Sequence, residues 1–256
     1  MTPETGILVP RRFCGPPSSG NGGWTAGALA AAAVDHPDRA DPWPAITVQL
    51  RRPPPLDTEL PVSVEDGWTL ASYDGSPIAK AKPAGTGPTE VPPVSADEAH
   101  RATTGYRGHL SHPFPTCFSC GPDREQGDGL RIFPGDVPGD ELGRVAAPWT
   151  PHPSVAEDWH AYQEPAREAS LPVTWAALDC VGGWSTDIEE RPMVLGTITL
   201  RLDALPRIGE EHVLVGAARG SEGRKTFTAA TLYDSSGSVV ATAEHVWITV
   251  DPATFG

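Results

Sequence analysis

The sequence is poor in positive charge. Nineteen Lys and Arg stand against 33 Asp and Glu, a formal net charge of −14. Such a field repels polyanions, which argues against nucleic-acid partners and anionic membrane surfaces. An anionic ligand would need local basic groups or helix N-termini. No apolar run approaches the roughly 20 residues of a membrane span. The opening residues, MTPETGILVPRRF, lack the charged-then-apolar order of a secretory signal. Four Cys in 256 residues are too few for a disulfide scaffold, so a reducing, cytoplasmic compartment is expected. Also missing are GxGxxG, Walker, HExxH and EF-hand patterns, and no cofactor is expected. Around Ser185 there is no nucleophile elbow, because Asp187 stands where the second flanking Gly belongs and no strand precedes the Ser.

What is present suits a loop-rich globular chain: 39% hydrophobic residues with 29 Pro and 27 Gly. At this length it holds one large domain or two ordinary ones. The stretch 169–187, ASLPVTWAALDCVGGWSTD, is apolar almost all round and reads as a buried helix. Pro172 fits its first turn, and Gly182-Gly183 its far end. Asp179 lies in the middle of that apolar surround. A carboxylate there is either satisfied by a neighbouring amide or serves as a base or nucleophile at a cleft.

Along the chain, TAGALAAAA predicts a helix from about residue 23 to 34, followed by a polar loop over 36–44. Strands are expected at 45–50, 59–64, 68–73 and 78–81, with Asp74-Gly75-Ser76 as a turn. Residues 84–116, rich in Pro, Gly and Thr, read as a linker packed over the surface. A strand pair is expected near 129–133 and 142–149, then an acidic region over 150–168. Strands near 194–202, 211–218, 225–232 and 239–249 complete an antiparallel meander.

The two halves repeat one another. Ile46-Thr47-Val48-Gln49-Leu50 answers to Ile198-Thr199-Leu200-Arg201-Leu202, and Tyr73-Asp74-Gly75-Ser76 to Tyr233-Asp234-Ser235-Ser236. Cys14-Gly15-Pro16 likewise answers to Cys120-Gly121-Pro122. Each half holds a Cys-Gly-Pro loop, an Ala-containing helix and then antiparallel strands, a unit too long for a solenoid.

In order, CFSCGPD, GLRIF, the helix with Leu178-Asp179 and the closing ATAEHVWITV resemble the double hotdog acyl-CoA thioesterase superfamily, near its PaaI-like branch. The likeness covers most of 117–250 and, more loosely, 13–82. It implies an α+β fold of two hotdog domains in one chain, each an antiparallel sheet wrapped around a central helix. The first domain would span residues 1–83 and the second 117–256, as a monomer or a homodimer of double hotdogs. It also implies an acyl-CoA or similar thioester as the substrate.

In that family a His-Gly-Gly turn opening one helix polarises the thioester carbonyl, and an acid from the other subunit's helix acts on water or carbon. About eight residues separate the two elements, roughly 12 Å on one helix, so two helices must meet. Aligning Thr25 with Thr174 sets Asn21-Gly22-Gly23 opposite Ser170-Leu171-Pro172, and Ala30 opposite Asp179. The first half keeps the Gly-Gly turn without the acid, and the second keeps the acid without the turn. One site is then complete, Gly22 or Gly23 supplying N–H and Asp179 the carboxylate, with Asn21 in the place of the family's His. The site facing Ala30 and Pro172 is expected to be inactive. A non-catalytic member binding acyl-CoA or another hydrophobic small molecule is the alternative.

His109-x2-His112-x4-Cys117-x2-Cys120 has zinc-like ligand types, but the Cys pair belongs to the loop of the resemblance. Packing thiols are therefore expected and no metal. Arg51, Arg52, Arg131 and Arg201 are read as solvated surface rather than as phosphate contacts. Thr197 and Ser185 are read as ordinary structural residues, and Trp24, Trp175 and Trp184 as core fillers.

Overall fold

The repeat predicts that its two copies meet around a shared axis, and the strand pairing has that form. The computed structural model describes residues 6–34, 43–156 and 167–251; most of the loop expected at 36–44 and part of the acidic region lie outside them. Among the described residues, eleven antiparallel strands form one sheet: β1 (Gly6–Leu8), β2 (Ile46–Leu50), β3 (Glu59–Glu65), β4 (Trp68–Tyr73), β5 (Ser76–Pro83), β6 (Gly135–Asp136), β7 (Val145–Trp149), β8 (Met193–Leu202), β9 (His212–Glu222), β10 (Lys225–Tyr233) and β11 (Val239–Thr249). Their order is β1-β3-β4-β5-β2-β8-β11-β10-β9-β7-β6. The halves join where β2 pairs with β8. There Thr47 lies opposite Thr199, its repeat equivalent, with the two hydroxyls 2.8 Å apart. A local two-fold therefore passes between these threonines.

Turn chemistry sets the hairpins. Asp66-Gly67 and Asp74-Gly75 each place two consecutive residues at positive φ, the two-residue turn that suits twisted strands. At the other copy's tip, Asp234 Oδ1 accepts the N–H groups of Ser236 and Ser238 and holds the β10–β11 turn.

Two long helices, α1 (Gly22–Ala33) and α3 (Leu171–Trp184), lie against the sheet and against each other. Thirteen of the fourteen α3 residues are buried. The N-terminal turns match: Thr25 bonds back to the Asn21 carbonyl, and Thr174 to that of Ser170. This is the equivalence expected from the repeat. Gly23 and Gly27 share one face of α1, and both abut α3. A Cβ on Gly27 would lie 2.7 Å from Pro172 Cα and 2.8 Å from Trp175 Cβ. Gly27→Ala is expected to destabilise the fold by about 1–2 kcal/mol net, because overpacking of about 1–3 kcal/mol outweighs the helix-propensity gain of about 0.5–1 kcal/mol. Urea unfolding checks it, and an unchanged midpoint would mean that the helices separate freely.

One expected element is corrected. Gly182-Gly183 lies at the far end of α3, as expected, and the helix ends one residue later at Trp184. Gly182 is also a close-packing position, since a Cβ there would lie 2.4 Å from Thr228 Oγ1 and 2.7 Å from His245 Nδ1. The strand expected near 129–133 is absent. Leu130 and Ile132 donate their N–H groups to the Phe118 and Ser119 carbonyls, Arg131 takes a positive φ, and pairing to β7 falls to the short β6. The segment read as a linker carries a third helix, α2 (Ala96–Thr103), with a reciprocal capping box between Ser95 and Glu98. Its apolar side covers β7.

Candidate active site

Asn21 is the cap of α1. Its Oδ1 accepts the Trp24 N–H at 2.8 Å, which leaves Nδ2 to donate outward. That amide reaches Asp179 Oδ2 at 3.0 Å and Ser119 Oγ at 3.2 Å. Ser119 donates in turn to the Ala176 carbonyl at 2.7 Å, so its lone pair is free to accept. Asp179 Oδ2 also accepts the Gly23 N–H at 2.9 Å. A Cβ on Gly23 would lie 2.7 Å from Asp179 Cβ, so only glycine brings this amide so close. The two hydrogen bonds to Asp179 Oδ2 join residues more than 150 positions apart in the chain.

Asp179 is 3% exposed. Burial pushes its carboxyl up to about 7, against the Gly23 N–H and Asn21 amide that favour the charge. Its two oxygens differ: Oδ2 has two donors, whereas Oδ1 is buried without a hydrogen-bond partner. The first-turn amides of α1 differ as well. Gly23 N–H is taken by Asp179, Trp24 by the cap side chain and Thr25 by the Asn21 carbonyl. Gly22 remains, at the first helical position, where no intrahelical acceptor exists.

Asn21, Gly22 and Asp179 line one cavity of about 260 Å³. Its wall is otherwise mostly apolar, with Leu50, Met193, Leu195, Trp184 and Ile248 among the lining residues. Trp184 and Trp247 thus border the cavity, whereas Trp175 does not and Trp24 stacks on Phe13 with ring centroids 4.6 Å apart. The exposed Arg51 and Arg52 line the cavity too. Arg201 is instead paired with Glu90 and Asp203, and Arg131 lies over the Phe133 ring. Thr197 is on β8, and Ser185 caps the end of α3 by donating to the Gly182 carbonyl; neither lines the cavity. At the position equivalent to Asp179, Ala30 is fully buried and offers no polar group.

Two participants were not singled out from the sequence. Ser119 sits inside the Cys-Phe-Ser-Cys run, and its only signal is a polar residue between two buried thiols. Cys180 follows Asp179 and comes within 3.7 Å of Cys117. His109 is apart from them, packed on Tyr106 and Phe133.

No protein-family model and no curated protein matches the sequence. Solved structures do match. A conserved hot dog protein of unknown function from Alicyclobacillus acidocaldarius superposes with a TM-score of 0.60 at 14% identity, over 96% of this chain and 93% of that one. An acyl-CoA thioesterase II from Mycobacterium marinum gives 0.57 at 14% identity, over 96% and 93%. The tesB protein of Mycobacterium avium subs paratuberculosis gives 0.53 at 11% identity, over 98% and 90%. Among the described residues no helix is long and apolar enough to cross a membrane. The sheet, the two central helices and these full-length superpositions together establish the double hotdog fold.

Proposed function

We propose that the protein hydrolyses thioesters of coenzyme A or a similar carrier thiol, at one site composed from its two halves. The observation that carries this reading is the asymmetry of Asp179: Oδ2 is held by Gly23 and Asn21, while Oδ1 is unpartnered beside a cavity that Gly22 also lines. Thioester hydrolysis builds negative charge on the carbonyl oxygen, and the Gly22 N–H at the positive end of α1 is a fitting donor for it. A carboxylate either takes the proton of the attacking water or attacks the carbonyl carbon itself. Both routes need an oxygen with no donor of its own, and both release the carrier as a thiol. Asn21 orients the carboxylate and caps the helix that carries the amide. Arg51 and Arg52 are suited to the phosphates of a carrier, a local exception to the acidic chain. A cavity near the small end of ligand pockets suits a short or aryl acyl group. The PaaI-like placement rests on the order of motifs in the second half.

The test is thiol release from short-, medium-, long-chain and aryl acyl-CoAs by the purified protein. Turnover is expected, with the short or aryl substrates preferred. No release from any of them would overturn the hydrolase reading. Quenching of Trp184 and Trp247 by the same acyl-CoAs without turnover would identify a binding protein, the reading favoured by the loss of the Gly-Gly turn at Ser170–Pro172.

A further inference from the structure

Besides the carboxylate, the cavity is lined by three thiols and an imidazole: Cys117, Cys120, Cys180 and His112. All four cysteines of the chain are free, and the three Sγ atoms here lie within 4.8 Å of one another. Cys117 and Cys180 are 3.7 Å apart. That is far beyond a disulfide bond, and it matches the roughly 3.8 Å edge of a tetrahedron whose sulfurs are each about 2.3 Å from a central Zn²⁺. We propose that Cys117, Cys120 and Cys180 form a three-thiolate zinc site in the wall of the cavity.

The chain is built to present these sulfurs together. Cys117 and Cys120 come from one tight loop in which the Gly121 N–H donates to the Cys117 carbonyl at 2.9 Å. A Cβ on Gly121 would lie 2.4–2.6 Å from the Pro115 carbonyl and the Cys117 backbone, so glycine is required straight after the Cys-x2-Cys pair. Cys180 is supplied by the rigid α3. The loop is fixed in turn by the Phe118 N–H on the Cys14 carbonyl and the Leu130 N–H on the Phe118 carbonyl.

Polar groups also face the cluster. Asn21 Nδ2 lies 3.8 Å from Cys117 Sγ, with its two hydrogens directed at Asp179 Oδ2 and Ser119 Oγ. His112 Nε2 lies 3.4 Å from Cys120 Sγ, while its Nδ1 accepts the Phe114 N–H at 2.9 Å. With Nδ1 accepting, a neutral ring carries its proton on Nε2 and donates it to Cys120. Donors of this kind tune and orient thiolate ligands. Three thiolates leave one position of a tetrahedral ion open, on the side of the cavity. Packing alone explains buried thiols one at a time. It does not explain three of them converging with an imidazole N–H turned toward one sulfur.

Elemental analysis of the protein, purified without chelator and without a metal-binding tag, is expected to find about one equivalent of zinc per chain. Cys180→Ser should lose it, and Cys14→Ser, outside the cluster, should retain it. If Cys180→Ser fails to fold, the wild type still decides. The reduced, zinc-stripped protein titrated with Co²⁺ should develop thiolate-to-cobalt charge transfer and tetrahedral d–d bands that saturate at one equivalent. Zinc below about a tenth of an equivalent, together with no cobalt–thiolate absorption from the folded reduced protein, would overturn the site. Metal content is read without turnover, so the site stands or falls separately from thioester hydrolysis.

Discussion

Asp179→Asn is expected to lower thioester turnover by about 10²–10⁴-fold while leaving the fold intact. The substitution is close to isosteric. The asparagine oxygen takes the place of Oδ2 and keeps the Gly23 N–H and the Asn21 amide as donors. The new NH2 group falls where Oδ1 has no partner, so it removes the proton acceptor and little else. Burial already raises the carboxyl to about 7, which means that the ionised group is held there at a cost to stability. The variant should therefore melt no lower than wild type. Steady-state thiol release and a thermal melt measure the two halves of this result. Activity indifferent to the substitution would move the chemistry away from Asp179, and a collapsed melt would show that the carboxylate is structural.

His245 gives the second large effect, on stability. Its ring is buried, with Nδ1 3.1 Å from Thr228 Oγ1 and Nε2 unpartnered. Thr228 Oγ1 also accepts the Trp247 Nε1–H at 2.9 Å. Burial pushes the His245 ring down to about 4 from an ordinary 6.5. Above 6.5 the ring is neutral in both folded and unfolded chains and adds no pH dependence. As pH falls from 6.5 toward 4, the unfolded chain binds a proton that the folded chain refuses, and stability is lost. The loss amounts to about 3 kcal/mol by pH 4, since each pH unit between the two values costs about 1.4 kcal/mol. Asp179 acts oppositely in the same window, because a carboxyl raised to about 7 favours the folded state as pH falls. The whole-protein curve therefore mixes the two. The clean measurement is the difference between wild type and His245→Gln, which should move by about 3 kcal/mol toward the variant between about pH 7.5 and pH 4. A difference independent of pH would mean that the ring takes up its proton equally in the folded and unfolded chains.

Much of this was legible before any coordinates. A carboxylate inside the apolar run 169–187 had to be satisfied or used, because burial of charge is costly wherever it occurs. Strand alternation and the Asp74-Gly75 tip are local properties, and the order of repeated motifs implied two copies of one unit. The Gly-Gly turn without an acid and the acid without a turn pointed to residues from both halves meeting.

Other features depended on long-range approach. A glycine pair near the end of an apolar run reads as a helix end, but only the proximity of Thr228 and His245 shows that Gly182 is also a close-packing position. The 129–133 stretch has the composition of a strand, but its backbone donors go to Phe118 and Ser119 in a loop. Cys180 is 63 residues from Cys117, so a count of spacings along the chain sees a pair where the fold gathers three.

The sequence by itself determined the repeat, most helix and strand identities and the buried acid, because these follow from composition and periodicity over a few turns. Only the tertiary structure decided which Asp179 oxygen lacks a donor, which first-turn amide of α1 that carboxylate takes and which thiols face one another. Those depend on how α1 and α3 cross, at ångström separations that no local pattern encodes.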